Sequence, residues 1–240
     1  MKIDTTNPQK HFIIILYFVF FVTFLGLTFT TISVIQNILG KEIVWSFCFD
    51  NNCLKNTYSN FEYSIKLLVH TFSVSSSLIT VGGIYVALLS YVNSVQSNNL
   101  NNHISHFKIF SDYVMLELEK HNRLALSSFD IFKWYNLIFS KSRTGSMNVS
   151  DKYISEIKRV NEEIIFSNEQ SRQAKNGSFR YKNHQERMIQ AFDNLGIAIG
   201  FHPRNDFYDI EGQLIELISV INKSFCTESS VGNLNKREYI

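Results

Sequence analysis

Charge is missing from two long parts of this 240-residue chain. No Asp, Glu, Lys or Arg occurs in the 28 residues from Phe12 to Leu39. None occurs from Leu67 to Phe107 either, where His70, His103 and His106 are the titratable exceptions. At 1.5 Å per residue a helix of about 28 residues spans about 42 Å, against a hydrocarbon core of about 30 Å. Each stretch can therefore cross a bilayer. Proline is scarce, with Pro8 and Pro203 alone, and no low-complexity or repeated segment occurs. Neither charge sign dominates, because 23 Lys/Arg face 21 Asp/Glu, so no global field argues for nucleic acid. A Gly-rich phosphate loop, a G-x-S-x-G elbow and a locally supported cysteine–histidine pair are all missing, which speaks against the common enzyme classes. No alternating strand pattern of useful length occurs either.

What remains divides the chain in two. Up to Val95 there are five Lys/Arg and four Asp/Glu, while the other 145 residues hold most of the charge. The expectation is a mainly α protein: a two-helix transmembrane hairpin followed by an all-α cytosolic domain. Its parts are an N-terminal tail (1–11), span one (12–39), an aromatic loop (40–66), span two (67–95), the helical domain (96–226) and a C-terminal tail (227–240). The run after Lys2 and Lys10 is too long for a signal-peptide core and no small-x-small site closes it, so span one reads as an uncleaved anchor.

Orientation rests on a near tie in positive charge. Lys41, Lys55 and Lys66 lie between the spans, against Lys2, Lys10 and the amino group before them. Cysteine tips the balance. Cys48 and Cys53 flank Phe-Asp-Asn-Asn, a turn-forming gap that permits a disulfide, and a disulfide persists outside the cytosol. Two free thiols near a membrane surface are the plainer alternative. The disulfide reading puts the loop in the periplasm and both termini in the cytoplasm, with Cys226 reduced. Trp45, Phe47, Phe49, Tyr58, Phe61 and Tyr63 suit a loop lying on the outer interface.

Small side chains recur along both spans. Ser73, Ser76, Thr80, Gly83, Ala87, Ser90 and Ser94 follow a 3-4 spacing in span two, and Thr23, Gly26, Thr30, Ser33 and Asn37 repeat it in span one. Such seams let backbones approach closely in lipid. Two matched seams pack most simply on each other as a hairpin; the alternative is association of several chains, with hydroxyl-lined faces that admit water.

Beyond the spans no Gly or Pro falls between Gly83 and Gly145, so span two can run on as a helical stalk with Phe107, Phe110, Val114 and Leu118 as its apolar stripe. Ser150 caps an amphipathic helix with Tyr153, Ile157, Val160 and Ile164 inward. A shorter helix carries Met188, Phe192 and Leu195 and stops at Gly196. Asp206 caps a last helix bearing Phe207, Ile210, Leu214, Leu217, Ile221 and Phe225.

Candidate chemistry is sparse. His103 and His106 form an i,i+3 pair without further ligands, and a solvated stalk face is the expected reading. Asp206, Asp209 and Glu211 cluster where a helix N-terminus wants acidic residues. Neither a metal nor a cofactor is expected. Arg172, Lys175, Arg180, Lys182 and Arg187 interleave with Phe179 and Tyr181, a pattern that binds single-stranded nucleic acid or an acidic protein surface, or is an ordinary solvated loop.

The two spans, His103-Ile-Ser-His106-Phe107, Phe179-Arg180-Tyr181 with His184-Gln185, and Arg204-Asn205-Asp206-Phe207 together resemble the transmembrane effectors of bacterial retron antiphage systems. The resemblance implies a non-enzymatic toxic effector of abortive infection. Its partners would be membrane lipid, a reverse transcriptase with its branched DNA–RNA product, and further copies of itself. The complex would restrain the effector until infection releases it to damage the inner membrane. Alternatives are a membrane-anchored sensor or scaffold, and a membrane-tethered hydrolase or nuclease using His184 or the Asp206 cluster.

Overall fold

The computed structural model describes residues 8–40, 50–174, 179–226 and 231–239. Among these the secondary structure is helical: α1 (Pro8–Gly40), α2 (Asn51–Leu118), α3 (Ile131–Ile138), α4 (Asp151–Gln173), α5 (Tyr181–Asn194) and α6 (Arg204–Phe225), with short 3-10 turns at Leu126–Ser128 and Ser142–Thr144. The one bridge outside the helices pairs Phe129 with Ile197. The chain divides into two compact units, Met1–Val95 and Gln96–Ile240, with α2 contributing to both.

The first unit is an antiparallel helix pair, and both of its helices are long and apolar enough to cross a membrane. α2 begins 16 residues before the expected span. Residues 51–66, read from the sequence as loop, are helix. Asp50 Oδ2 accepts from the Cys53 amide at 3.4 Å, so the Asp-Asn-Asn run starts a helix where a tight turn was expected. A Glu62–Lys66 pair at 2.6 Å supports the next turns. The backbone leaves helical geometry at Phe61 (φ −114°, ψ 16°), the one break in an element of 68 residues. Of the loop aromatics, Tyr58 and Tyr63 are exposed. Trp45, Phe47, Phe49 and Cys48 lie outside the described residues, and so does the expected Cys48–Cys53 bridge.

The second unit packs the end of α2 with α3, α4, α5 and α6 around one core. Most of the expected apolar positions are buried: Phe110, Val114 and Leu118 of α2, Tyr153, Ile157, Val160 and Ile164 of α4, Met188 and Phe192 of α5 with Leu195 just after it, and Phe207, Ile210, Leu214, Leu217 and Ile221 of α6, while Phe107 and Phe225 are partly buried. Ser150 caps α4, its hydroxyl accepting from the Tyr153 amide at 3.1 Å. In α3 the inward positions are Trp134, Tyr135 and Ile138, whereas Phe132 is half exposed. Gly145 and Gly196 close the turn after Ser142–Thr144 and the end of α5 at φ 92° and 87°, where a side chain would be strained. Pro203, not Asp206, occupies the cap of α6, and Asp206 sits in its first turn.

The C-terminal segment is no loose tail. Residues 231–239 lie against α4 and α6 with Val231 and Tyr239 buried.

Candidate functional site

Contacts between α1 and α2 run in strict antiparallel order: His11 with Tyr85, Ile15 with Gly82, Gly26 with Thr71, and Ser33 with Ser64. Close approach is built from missing side chains. A Cβ on Gly26 would lie 2.2 Å from the Thr71 methyl, and one on Gly82 would lie 2.6 Å from Ile15. Ser33 and Ser64 share a 2.8 Å hydrogen bond, which Asn37 Nδ2 approaches at 3.5 Å. Thr23 and Thr30 donate to the Val19 and Gly26 carbonyls of their own helix, so each of these two hydroxyls has an acceptor. Gly26 and Ser33 of span one thus lie on the face toward α2.

The span-two seam does not face α1. Ser73, Ser76, Thr80, Gly83, Ala87, Ser90 and Ser94 are all exposed, and a Cβ on Gly83 would meet nothing within 4 Å. The face that packs on α1 is the neighbouring one, with Ser64, Thr71, Ser75, Gly82 and Leu89 buried. The matched-seam hairpin is therefore corrected. Both faces repeat every seven residues, and shape decides between them: Ile15 needs the gap at Gly82, and Thr71 needs the gap at Gly26. An apolar groove opens beside this contact, lined by Phe12, Leu16, Phe20, Ile79, Gly82 and Gly83.

In the second unit the basic–aromatic segment separates into two kinds of residue. Arg172 pairs with Glu238, and Arg187 donates to Glu163 at 2.7 Å while lying over the Phe166 ring. Tyr181 is buried and Phe179 packs on the core, so neither ring is a stacking platform, which corrects that expectation. Arg180 and Lys182 stay exposed at the start of α5. Lys175 lies outside the described residues.

The rings of Phe179 and Tyr181 instead enclose a polar centre that sequence reasoning did not assemble. His184, Ser167 and Glu211 are fully buried. His184 Nδ1 is 2.7 Å from Ser167 Oγ, and its Nε2 is 3.2 Å from Glu211 Oε1, too poorly aligned for a hydrogen bond. The remaining Glu211 contacts come from the C-terminal segment: Tyr239 donates its phenol proton at 2.7 Å and Arg237 Nη1 donates at 3.1 Å. Burial and the adjacent carboxylate raise the Tyr239 pKa, which keeps the phenol a donor. Serine, histidine and glutamate lie in line, but all three are fully buried. The geometry is that of an internal polar brace.

Other candidates resolve similarly. His103 and His106 are not on a solvated face. His103 is buried with Nδ1 2.8 Å from Ser142 Oγ, and His106 Nδ1 is 3.1 Å from the Tyr135 hydroxyl. Burial lowers both pKa values, aided by Arg143 beside His103 and by His103 beside His106. The Asp206 cluster diverges: Asp206 pairs with Arg123 at 3.2 Å, Asp209 is exposed and Glu211 points inward. Gln185 clamps the connection to α6 by donating to the His202 carbonyl at 2.9 Å and accepting from its amide at 3.3 Å. Among the described residues no group of three or more His, Cys, Asp or Glu could hold a metal ion.

Of the residues behind the retron resemblance, His103, Tyr181, His184, Gln185 and Phe207 are buried in this helical domain, whereas Ile104, Ser105, Arg180, Arg204 and Asn205 are exposed. Residues 57–229 match the family described as Retron Ec48 antiviral membrane protein. A Retron Ec48 transmembrane protein of Escherichia coli is 32% identical over 220 residues, covering 90% of this chain and 93% of that protein. The chain belongs to the Retron Ec48 antiviral membrane protein family. No solved structure matches it. The matched residues of this family member take in most of α2 and the helices of the second unit. It is a membrane protein of a retron antiviral system.

Proposed function

We propose that the chain is the membrane-disrupting effector of its retron system, with no catalytic step of its own. The reverse transcriptase and its branched DNA–RNA product hold it in a resting state, and infection lifts that restraint. The effector sits in the bacterial inner membrane with both termini in the cytoplasm and a Cys48–Cys53 bridge outside. The observation that carries this reading is the exposed face of α2 from Ser73 to Ser94. One face of α2 already holds the hairpin, and the other offers exposed hydroxyls and small side chains, with no described residue within 4 Å of a Cβ on Gly83. In lipid such a face favours close helix–helix association, and joined hydroxyl-lined faces admit water. A restraint that favours the resting state by a few kcal/mol keeps the toxic state rare.

The test is induced expression of the chain alone and together with its reverse transcriptase locus, scored for membrane potential and growth. Depolarisation and arrest by the chain alone, relieved by the locus, is the expected result. Normal potential in cells where the chain is inserted favours a membrane-anchored binding module instead.

Arg180 and Lys182 are exposed cations at the start of α5, and they form the contact with the restraining complex. Glutamates there suit a helix N-terminus, so the fold tolerates the exchange. Arg180→Glu with Lys182→Glu should lower co-purification of the reverse transcriptase at least several-fold and flatten its salt dependence. Unchanged recovery would remove this surface from the reading.

A further inference from the structure

The groove beside the α1–α2 contact is long and narrow. It runs from Phe12 to Thr23 on α1 and past Ile79 and Gly83 on α2, with a volume of about 470 Å³. At 1.5 Å per residue it is about 16 Å long, close to one leaflet of a hydrocarbon core of about 30 Å. Its mean cross-section is then about 30 Å², against about 80 Å² for a helix 10 Å across. Such a slot admits one extended hydrocarbon chain and is too slim to seat a helix.

Its lining suits the same occupant. Phe12, Leu16, Phe20 and Ile79 are apolar and exposed, and no charged residue borders the slot. Thr23, the one hydroxyl among the lining residues, already donates to the Val19 carbonyl at 2.9 Å. Gly83 supplies the width, since a Cβ there would meet nothing within 4 Å. Beside a bilayer such a slot is not left empty, because its lining atoms would forgo dispersion contacts. At the Phe12 end, Lys10 is exposed in the first turn of α1. Asp50 and Glu62, the described acidic residues of this unit, belong to the opposite end of the hairpin. The described charge at the mouth is therefore positive.

We propose that this slot is a phospholipid site: one acyl chain of the leaflet on the α1 N-terminal side lies between Phe12 and Thr23, and an anionic headgroup sits at Lys10. The charge complementarity selects anionic over zwitterionic lipid. Gly83 lies on the outer seam as well, so a second copy packing there has to displace the tail. That consequence rests on the association proposed above, whereas the lipid site does not.

Full-length chain reconstituted in vesicles of equal parts phosphatidylethanolamine and phosphatidylglycerol, then extracted in mild detergent, tests it by native mass spectrometry. A single retained phospholipid per chain is expected, with phosphatidylglycerol enriched several-fold. Gly83→Phe fills the slot and should lower retention several-fold. Ser73→Phe, on the same exposed face but outside the slot, should leave retention unchanged. A disulfide between Ser33→Cys and Ser64→Cys reports that the hairpin of each variant is intact. Lys10→Gln should abolish the enrichment while the lipid stays. Wild-type chain recovered without lipid, as a monomer or as a pair of copies, would overturn the site whatever the variants do. Equal retention by Gly83→Phe and Ser73→Phe would overturn it too, and an unenriched wild-type lipid would overturn the headgroup contact.

Discussion

The two stalk histidines, His103 and His106, mark where ionisation bears on stability. Both are held neutral. Burial lowers both pKa values from 6.5. Above 6.5 the folded and unfolded chains leave these rings uncharged, and they add nothing to the pH dependence. As pH falls through 6.5 the unfolded chain binds protons first, so the folded domain loses stability until its own lowered values are reached. Detergent-solubilised chain should therefore show a lower denaturation midpoint at about pH 5.5 than at about pH 7.5. His103→Gln with His106→Gln should shrink that difference. A midpoint that is unchanged or higher in acid would contradict the buried, neutral assignment.

At the scale of elements, the two glycine-bearing faces of the hairpin separate packing within a chain from packing between chains. Leucine at Gly83 enters open space, whereas any side chain at Gly26 meets Thr71. Gly83→Leu with Ala87→Leu should leave the hairpin intact, as read by a disulfide between Ser33→Cys and Ser64→Cys, and should abolish depolarisation. Gly26→Leu should instead reduce that disulfide at least several-fold. Full depolarising activity from inserted Gly83→Leu/Ala87→Leu protein would refute the outer face as the active surface. The contrast also shows what sequence periodicity carries and what it does not. The apolar stripes of α4 and α6 were legible because water selects one face, and Tyr153, Ile157, Val160 and Ile164 read directly as core. In a lipid-facing helix no such selection acts, so the 3-4 spacing of small residues identified a close-packing surface without saying against what. The docking of residues 231–239 had no periodic signal at all, because amide side chains on α4 and not a ladder hold its backbone. His184 and Glu211 were visible only as separate residues, since the centre joins α4, α5, α6 and the C-terminal segment across the sequence.

For the whole molecule, cysteine chemistry decides which side of the membrane each part occupies. The expected topology gives two distinguishable thiol environments. Cys226 is buried, and burial pushes its thiol up to about 11, so in the folded domain it reacts slowly. Cys48 and Cys53, if bridged and outside, present no thiol until a reductant is added. Intact spheroplasts treated with a membrane-impermeant maleimide should therefore give no label before reduction. After reduction, label should appear on Cys48 and Cys53 without lysis, while Cys226 should need both lysis and denaturation. Label on the loop before reduction would mean that the bridge is absent. Loop label that appears only after lysis would place the loop in the cytoplasm and with it turn the helical domain outward. That second outcome reaches furthest, because a domain facing away from the cytoplasm could not meet a cytoplasmic reverse transcriptase. The topology is thus the condition on which the proposed restraint depends, and this measurement tests it without requiring toxicity, a partner or infection.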